Sequence, residues 1–269
     1  MINFTRTREY FAEVKSGVPA MPFTHYHSSY ELYYLEAGKR DYLVEDKFFT
    51  ISAGDFVLIK PNVLHRTNGG YSLRTLIGFS PAFLQKTYTP AAAKHLLKCF
   101  DNVLISPPEE MQAELKNLLY SITQCTNPID FASELGVLLR KLAKCTPDNH
   151  YDKRMSTIIK YINQNFSSIH SIEDVANQLH ISKYYLCRLF KDTTGITLID
   201  YLNTIKVKNA CKFLETTDKD ILEISQLCGF NSSAYFSNVF KKIMELSPSK
   251  YRQKHFKKTS KMPKGEYDS

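Results

Sequence analysis

Two stretches, Ser182–Lys191 and Ser232–Lys241, carry side chains suited to reading the edge of a DNA base. Each opens on a serine, a residue type that caps helix N-termini. In the first, Tyr185, Leu186, Leu189 and Phe190 share one helical face, leaving Lys183, Tyr184, Cys187, Arg188 and Lys191 opposite. In the second, the apolar face is Tyr235, Phe236, Val239 and Phe240, and the other face is Ser233, Ala234, Ser237, Asn238 and Lys241. A guanidinium matches guanine and a carboxamide matches adenine, each through two hydrogen bonds. Arg188 and Asn238 are therefore the leading base-contact candidates, with Tyr184, Cys187, Ser233 and Ser237 beside them. Lys183, Lys191, Lys241 and Lys242 suit phosphates. Singly, each reads as solvated surface; two capped helices with the same two-faced design argue for DNA.

The elements that position these residues repeat. Ile172, Val175 and Ile181 recur 49 residues on as Ile221, Ile224 and Phe230. After one extra turn residue, Ser182, Tyr185, Leu186, Leu189, Phe190 and Lys191 recur 50 residues on as Ser232, Tyr235, Phe236, Val239, Phe240 and Lys241. Each copy reads as helix, tight turn and second helix, the second turn carrying Gly229 for a positive φ. This is the helix-turn-helix design, in which the stripe seats the second helix and its outward face enters the major groove.

From Ile158 to Arg252 the chain resembles the AraC/XylS DNA-binding domain over its full length. The resemblance rests on Val175-Ala176, Ser182, Tyr185-Leu186, Leu189-Phe190-Lys191, Thr194-Gly195, Tyr201-Leu202, Ala210, Leu214, Ile224, Gly229-Phe230, Tyr235-Phe236, Phe240-Lys241 and Pro248-x-x-Tyr251-Arg252. It implies seven helices, a long one over about 198–214 joining the two units, and recognition helices in successive major grooves about 34 Å apart. Ser225 stands where the family usually has alanine, and Ser232-Ser233 where it often has aspartate and proline. Serine still caps a helix, so these departures bear on base preference at the second half-site rather than on fold.

The first 80 residues read as β, with runs at Tyr30–Glu36, Tyr42–Glu45, Phe48–Ile51, Phe56–Ile59 and Leu73–Phe79 between Gly, Asn and Pro turns. Met111–Ile122 and Phe131–Leu142 then change to helical period, and Thr146–Asp148 reads as a linker. The pair of helices packs on the β domain, makes a dimer contact, or does both. The expected architecture is α+β and multidomain: a cupin-like barrel over 1–105, a helical dimerisation or linker region over 106–148, an all-α double helix-turn-helix domain over 149–256, and a disordered basic tail over 257–269.

The barrel is called cupin-like because His25 to Gly38 reads H-x-H-x-x-x-E-x-x-x-x-x-x-G, which resembles the first cupin motif. Gly54 to Asn68 resembles the second only in part: Pro61 and His65 are present, but Val63 replaces the middle glycine and the spacings are off by one. The likeness to metal cupins implies His25, His27, Glu31 and His65 as ligands, a set that suits Fe, Mn, Ni or Zn. Residues 25 and 27 share one face of a strand. The likeness to AraC-type sensors implies instead that the histidines line a pocket or satisfy core hydrogen bonds. That reading is preferred: no cofactor is required, and a small-molecule effector is lined by His25, His27, Glu31, His65, Tyr33, Arg40, Tyr42 and Arg74.

Charge agrees with a polyanionic partner at one end. Residues 1–149 hold 16 Lys/Arg and 15 Asp/Glu, whereas 150–269 hold 19 and 12, so +7 of the net +8 lies in the C-terminal part. The six cysteines form no C-x-x-C pair, which argues against a zinc knuckle or redox motif. No signal peptide or membrane-length apolar run is present, which points to the cytoplasm. The expected protein is a dimeric, ligand-responsive transcription regulator with no catalytic residues, which binds double-stranded DNA and, if an activator as the resemblance implies, RNA polymerase. A metal-dependent cupin enzyme fused to a DNA-binding tail, and a DNA-binding protein without an effector, are the alternatives.

Overall fold

The computed structural model describes residues 8–18, 24–146 and 151–256. Pro147 and Asp148 of the expected linker, and the tail from 257, lie outside them. Contacts gather the chain into two compact units, one of residues up to 161 with 188–196, the other of 162–187 with the residues from 197 on.

The first unit contains two antiparallel sheets. Strands β1 (Tyr10–Gly17), β7 (Ser72–Phe79), β2 (Tyr30–Ala37), β5 (Phe56–Ile59) and β8 (Leu104–Ile105) form one in that order; β4 (Lys47–Ser52), β3 (Lys39–Val44) and β6 (His65–Asn68) form the other. Side chains alternate across a strand, and β2, β5 and β7 use both faces. Tyr33, Leu35, Val57, Ile59 and Leu76 share a core with Tyr42, Val44, Phe49 and Ile51 of the smaller sheet. Leu32, Tyr34, Phe56, Leu58, Ile77 and Phe79 point the other way into a second core. Helices α3 (Glu109–Gln124) and α4 (Pro128–Leu142) fill that second core with Leu115, Leu119, Ile122, Phe131, Leu135, Leu138, Leu139 and Leu142. Their apolar stripe is thus spent on the sheet, while Tyr120 and Ile129 stay exposed.

Between β7 and β8, where no helix is expected from sequence, lie α1 (Pro81–Thr87), α2 (Pro90–Leu96) and a 3-10 turn over Leu97–Asp101. Ser80 and Thr89 cap the two helices, each with proline in the first turn.

From 151 to 256 the chain forms seven helices: α5 (Lys153–Asn165), α6 (Ile172–Gln178), α7 (Lys183–Thr194), α8 (Leu198–Thr216), α9 (Ile221–Leu227), α10 (Ser233–Met244) and α11 (Pro248–His255). Helix α8 is the long connector. Its Val207, Ala210, Cys211 and Leu214 meet Ile224, Cys228, Phe236, Val239, Phe240 and Tyr251 in the core of the second unit.

Candidate functional site

The two turns ahead of α7 and α10 are built alike. In the first, Ile181 N–H donates to Ala176 O and His180 N–H to Asn177 O. In the second, Phe230 N–H donates to Ser225 O and Gly229 N–H to Gln226 O. Both pivots are left-handed: Gly229 at φ 72° and, 49 residues earlier, His180 at φ 53°. The serine caps follow, with Ser182 Oγ accepting from Tyr185 N–H at 3.2 Å and Ser232 Oγ from Tyr235 N–H at 3.1 Å. The extra residue of the second copy is Asn231, whose Oδ1 lies 3.2 Å from His170 Nδ1.

Beyond the caps the helices divide into faces. Leu186, Phe190, Phe236 and Phe240 are wholly buried and Val239 nearly so, while Tyr185 and Leu189 are half-buried. Tyr235 departs from the expected stripe. It is 48% exposed, because its hydroxyl turns outward to accept from Asn203 Nδ2 at 3.1 Å while its ring stays beside Phe230. Arg188, Asn238, Lys191, Lys241 and Lys242 are exposed, as is Tyr184; Cys187, Ser233 and Ser237 are half-buried. Lys183 is exposed but forms an ion pair with Glu173, so a phosphate would have to displace that carboxylate.

A buried lysine ties the second unit together. Lys206 Nζ on α8 donates to Ile169 O at 2.8 Å, just before α6, and to Gly229 O at 2.5 Å in the second turn. Burial pushes its pKa down. No sequence signal marks it, since it reads as one more polar residue on a long helix.

In the first unit, all eight expected pocket residues are buried: His25, His27, Glu31, Tyr33, Arg40, Tyr42, His65 and Arg74. An isolated bridge sets His25 opposite His65, with each backbone N–H donating to the other's carbonyl at 3.0 and 2.9 Å. The His25 and His65 rings lie 4.1 Å apart and the His27 and His65 rings 5.0 Å apart. Glu31 Oε2 is 3.2 Å from His27 Nε2. Burial, with the neighbouring imidazoles, pushes the His65 pKa down to about 3. Arg40 donates through Nε to Thr67 Oγ1 and through Nη1 to the carbonyls of Gly69 and Gly70, while its Nη2 is buried without a hydrogen-bond partner. Arg74 donates to Ser72 Oγ at 3.2 Å, and the Tyr33 and Tyr42 rings pack edge to face.

None of the eight lines the cleft of about 740 Å³ on the other side of the larger sheet. Tyr30, Leu84, Tyr88, Leu97 and Phe100 give that cleft an apolar floor, with Lys60, Lys94 and Lys98 around it. On the strand carrying His65, Arg66 was not singled out from sequence. Its guanidinium donates to the carbonyls of Thr194 at 3.1 Å and Gly195 at 3.3 Å, at the end of α7.

Two family models match the chain. The AraC-like ligand binding domain matches residues 19–125, and a helix-turn-helix domain matches 175–254. The Msm operon regulatory protein of Streptococcus mutans is 24% identical over 84% of each chain. The melibiose operon regulatory protein of Escherichia coli is 24% identical over 87% of this chain and 84% of its own. Among solved structures, the C-terminal domain of AraT, a response regulator from Geobacillus stearothermophilus, is 33% identical, with a TM-score of 0.37 over 42% of this chain and 93% of that one.

Proposed function

The chain belongs to the AraC family of DNA-binding transcriptional regulators, and from that premise we propose that it reads two successive major grooves of one operator with α7 and α10. The observation that carries this reading is the duplicated turn: the same hydrogen bonds, a left-handed pivot and a serine cap, each followed by a helix with a buried stripe and an exposed polar face. Arg188 and Asn238 contact bases, with Tyr184, Cys187, Ser233 and Ser237 beside them. Lys191, Lys241, Lys242 and, once released from Glu173, Lys183 contact phosphates.

The regulator acts in the cytoplasm as a homodimer and, as an activator, contacts RNA polymerase. No described helix is long and apolar enough to cross a membrane. Its small-molecule effector sits within residues 19–125. The 740 Å³ cleft, lined wholly by residues of that stretch, has the size of a small-molecule site and suits an apolar body with an acidic group. Effector binding works by favouring one of two arrangements that differ in operator affinity.

The test is selection of bound duplexes from a random DNA pool with the full chain at physiological salt. The expected result is a bipartite site with halves about one helical turn apart. Salt-sensitive binding with no sequence enrichment would overturn the two-helix reading.

A further inference from the structure

Taking an ammonium out of water is costly unless acceptors replace the lost hydration. Lys206 is 5% exposed, and it finds its acceptors on two different helix-turn-helix units. Ile169, whose carbonyl takes one hydrogen bond, lies just ahead of α6. Gly229, whose carbonyl takes the other, lies in the turn between α9 and α10. The Lys206 Nζ also stands 5.5 Å from the centre of the Phe230 ring, within cation–π reach. One side chain of the connector α8 thus holds both copies of the repeat at once. The first copy is built without such a lysine. The 49-residue offset of the repeat puts Thr157 at the matching place on α5, where it is exposed and donates to Lys153 O within its own helix.

Further contacts gather at the same joint. Gly229 packs so closely on the segment ahead of α6 that a Cβ would lie 2.1 Å from Ser167 O. Asn231, the residue by which the second turn exceeds the first, meets His170, with Oδ1 and Nδ1 3.2 Å apart. Asn203, one turn before Lys206 on α8, donates to the Tyr235 hydroxyl near the start of α10 at 3.1 Å. The beginning of α8 is fixed to the first copy as well, its Tyr201 hydroxyl donating to Asn163 Oδ1 on α5 at 2.9 Å. Farther along, Val207, Ala210, Cys211 and Leu214 bury the same helix in the core of the second copy.

A joint held in this way fixes the separation of the two reading helices. Each base pair inserted between two half-sites moves the second by about 3.4 Å and turns it by about 35° around the duplex axis. Either the protein yields at the joint or the duplex bends and twists, and deforming a short duplex costs energy. We infer that Lys206 is the positioning residue that sets half-site spacing: by bridging Ile169 and Gly229 it holds α7 and α10 in one arrangement, so the chain accepts one spacing and rejects its neighbours. The inference rests on the reading of α7 and α10 in successive major grooves. Lys206 acts without touching DNA, through the helices that it holds, and the His170–Asn231 and Asn203–Tyr235 pairs support it from the surface.

The test uses the full chain on duplexes carrying one bipartite site, as selected above, with the halves at the selected spacing or one or two base pairs nearer or farther. The wild type should lose at least about tenfold in affinity for each base pair of displacement. Lys206→Met keeps the length of the side chain and removes its donors. It should bind less tightly at the selected spacing but lose no more than about threefold per base pair away from it. His170→Ala combined with Tyr235→Phe removes the surface pairs, leaves Lys206 in place and should widen the profile by a smaller amount. Circular dichroism checks that each variant folds. A folded Lys206→Met that loses affinity by the same factor at every spacing would overturn the inference, because a lysine needed only for stability weakens binding without reshaping its profile. If Lys206→Met does not fold, the double variant decides, and a profile as narrow as that of the wild type overturns the inference too. A wild type that binds its sequence equally well at all spacings would overturn it while leaving the two-helix reading intact; salt-sensitive binding with no preferred sequence would strike that reading instead.

Discussion

Ser225 occupies a position where alanine is usual in the AraC/XylS family. It is 1% exposed, and its hydroxyl has no hydrogen-bond partner. A buried, unpaired hydroxyl destabilises, so Ser225→Ala should raise stability by about 1 kcal/mol, read as a shifted urea midpoint at unchanged slope. Equal or lower stability would mean that the hydroxyl finds a partner in solution. The reading residues make a sharper contrast. Arg188→Ala should cost about 1–3 kcal/mol and relax preference at one operator position, because a guanidinium that reads a base is specific. Lys191→Ala should weaken every sequence alike and reduce the salt slope by about 1. Competition binding on the selected site and on variants with single base changes decides it. If Arg188→Ala lost affinity uniformly, the base contact would belong elsewhere.

The two turns show what an element demands of one residue. Gly229 sits at φ 72°, and a Cβ there would lie 2.1 Å from Ser167 O. Strain and overpacking act together, so Gly229→Ala should cost about 2–4 kcal/mol. The matching His180, at φ 53°, is exposed and carries the left-handed strain without a glycine. His180→Gly should therefore stabilise by about 0.5–1 kcal/mol, the strain relieved outweighing the entropy added to the unfolded chain. Thermal unfolding of both variants checks the pair; a destabilised His180→Gly would show that the first turn uses the imidazole. Gly229 was legible in the sequence as a turn residue, because glycine announces a positive φ, while histidine at 180 announces nothing. The same contrast runs through the sheets. Strands rich in Tyr, Phe and Leu, such as β2 and β5, were readable from pattern. Strand β6, His-Arg-Thr-Asn, has no apolar residue to mark it and is placed by its neighbours. Helices α1 and α2 did carry a signal in Ser80-Pro81 and Thr89-Pro90, a cap followed by proline, which short apolar content obscured. The four residues of the histidine cluster were legible as a motif. Their pairing was not, since the contact of Glu31 with His27 and the carbonyls of Ser29 and Val63 behind the rings depend on how the chain folds.

At the scale of the whole molecule, charge separates the two halves more cleanly than composition does. With 16 Lys/Arg against 15 Asp/Glu, residues 1–149 add almost nothing to attraction for a polyanion, while residues 150–269 carry 19 against 12. Phosphate neutralisation releases counterions, and each contact contributes about −0.9 to the slope of log affinity against log salt. Lys183, Lys191, Lys241 and Lys242 together then give a slope of about −4 for one protomer on one bipartite site. A homodimer that engages two such sites at once neutralises twice as many phosphates, and its slope should approach about −7. The measurement is operator affinity of the full chain across a salt series, on duplexes carrying one site and two. A slope that doubles with the second site, in a single binding transition, is the signature of a dimer seated on both. The same slope on both duplexes, with two independent transitions, would mean that protomers bind one by one, and the exposed Tyr120 and Ile129 on α3 and α4 would then have no part in holding two copies together on DNA.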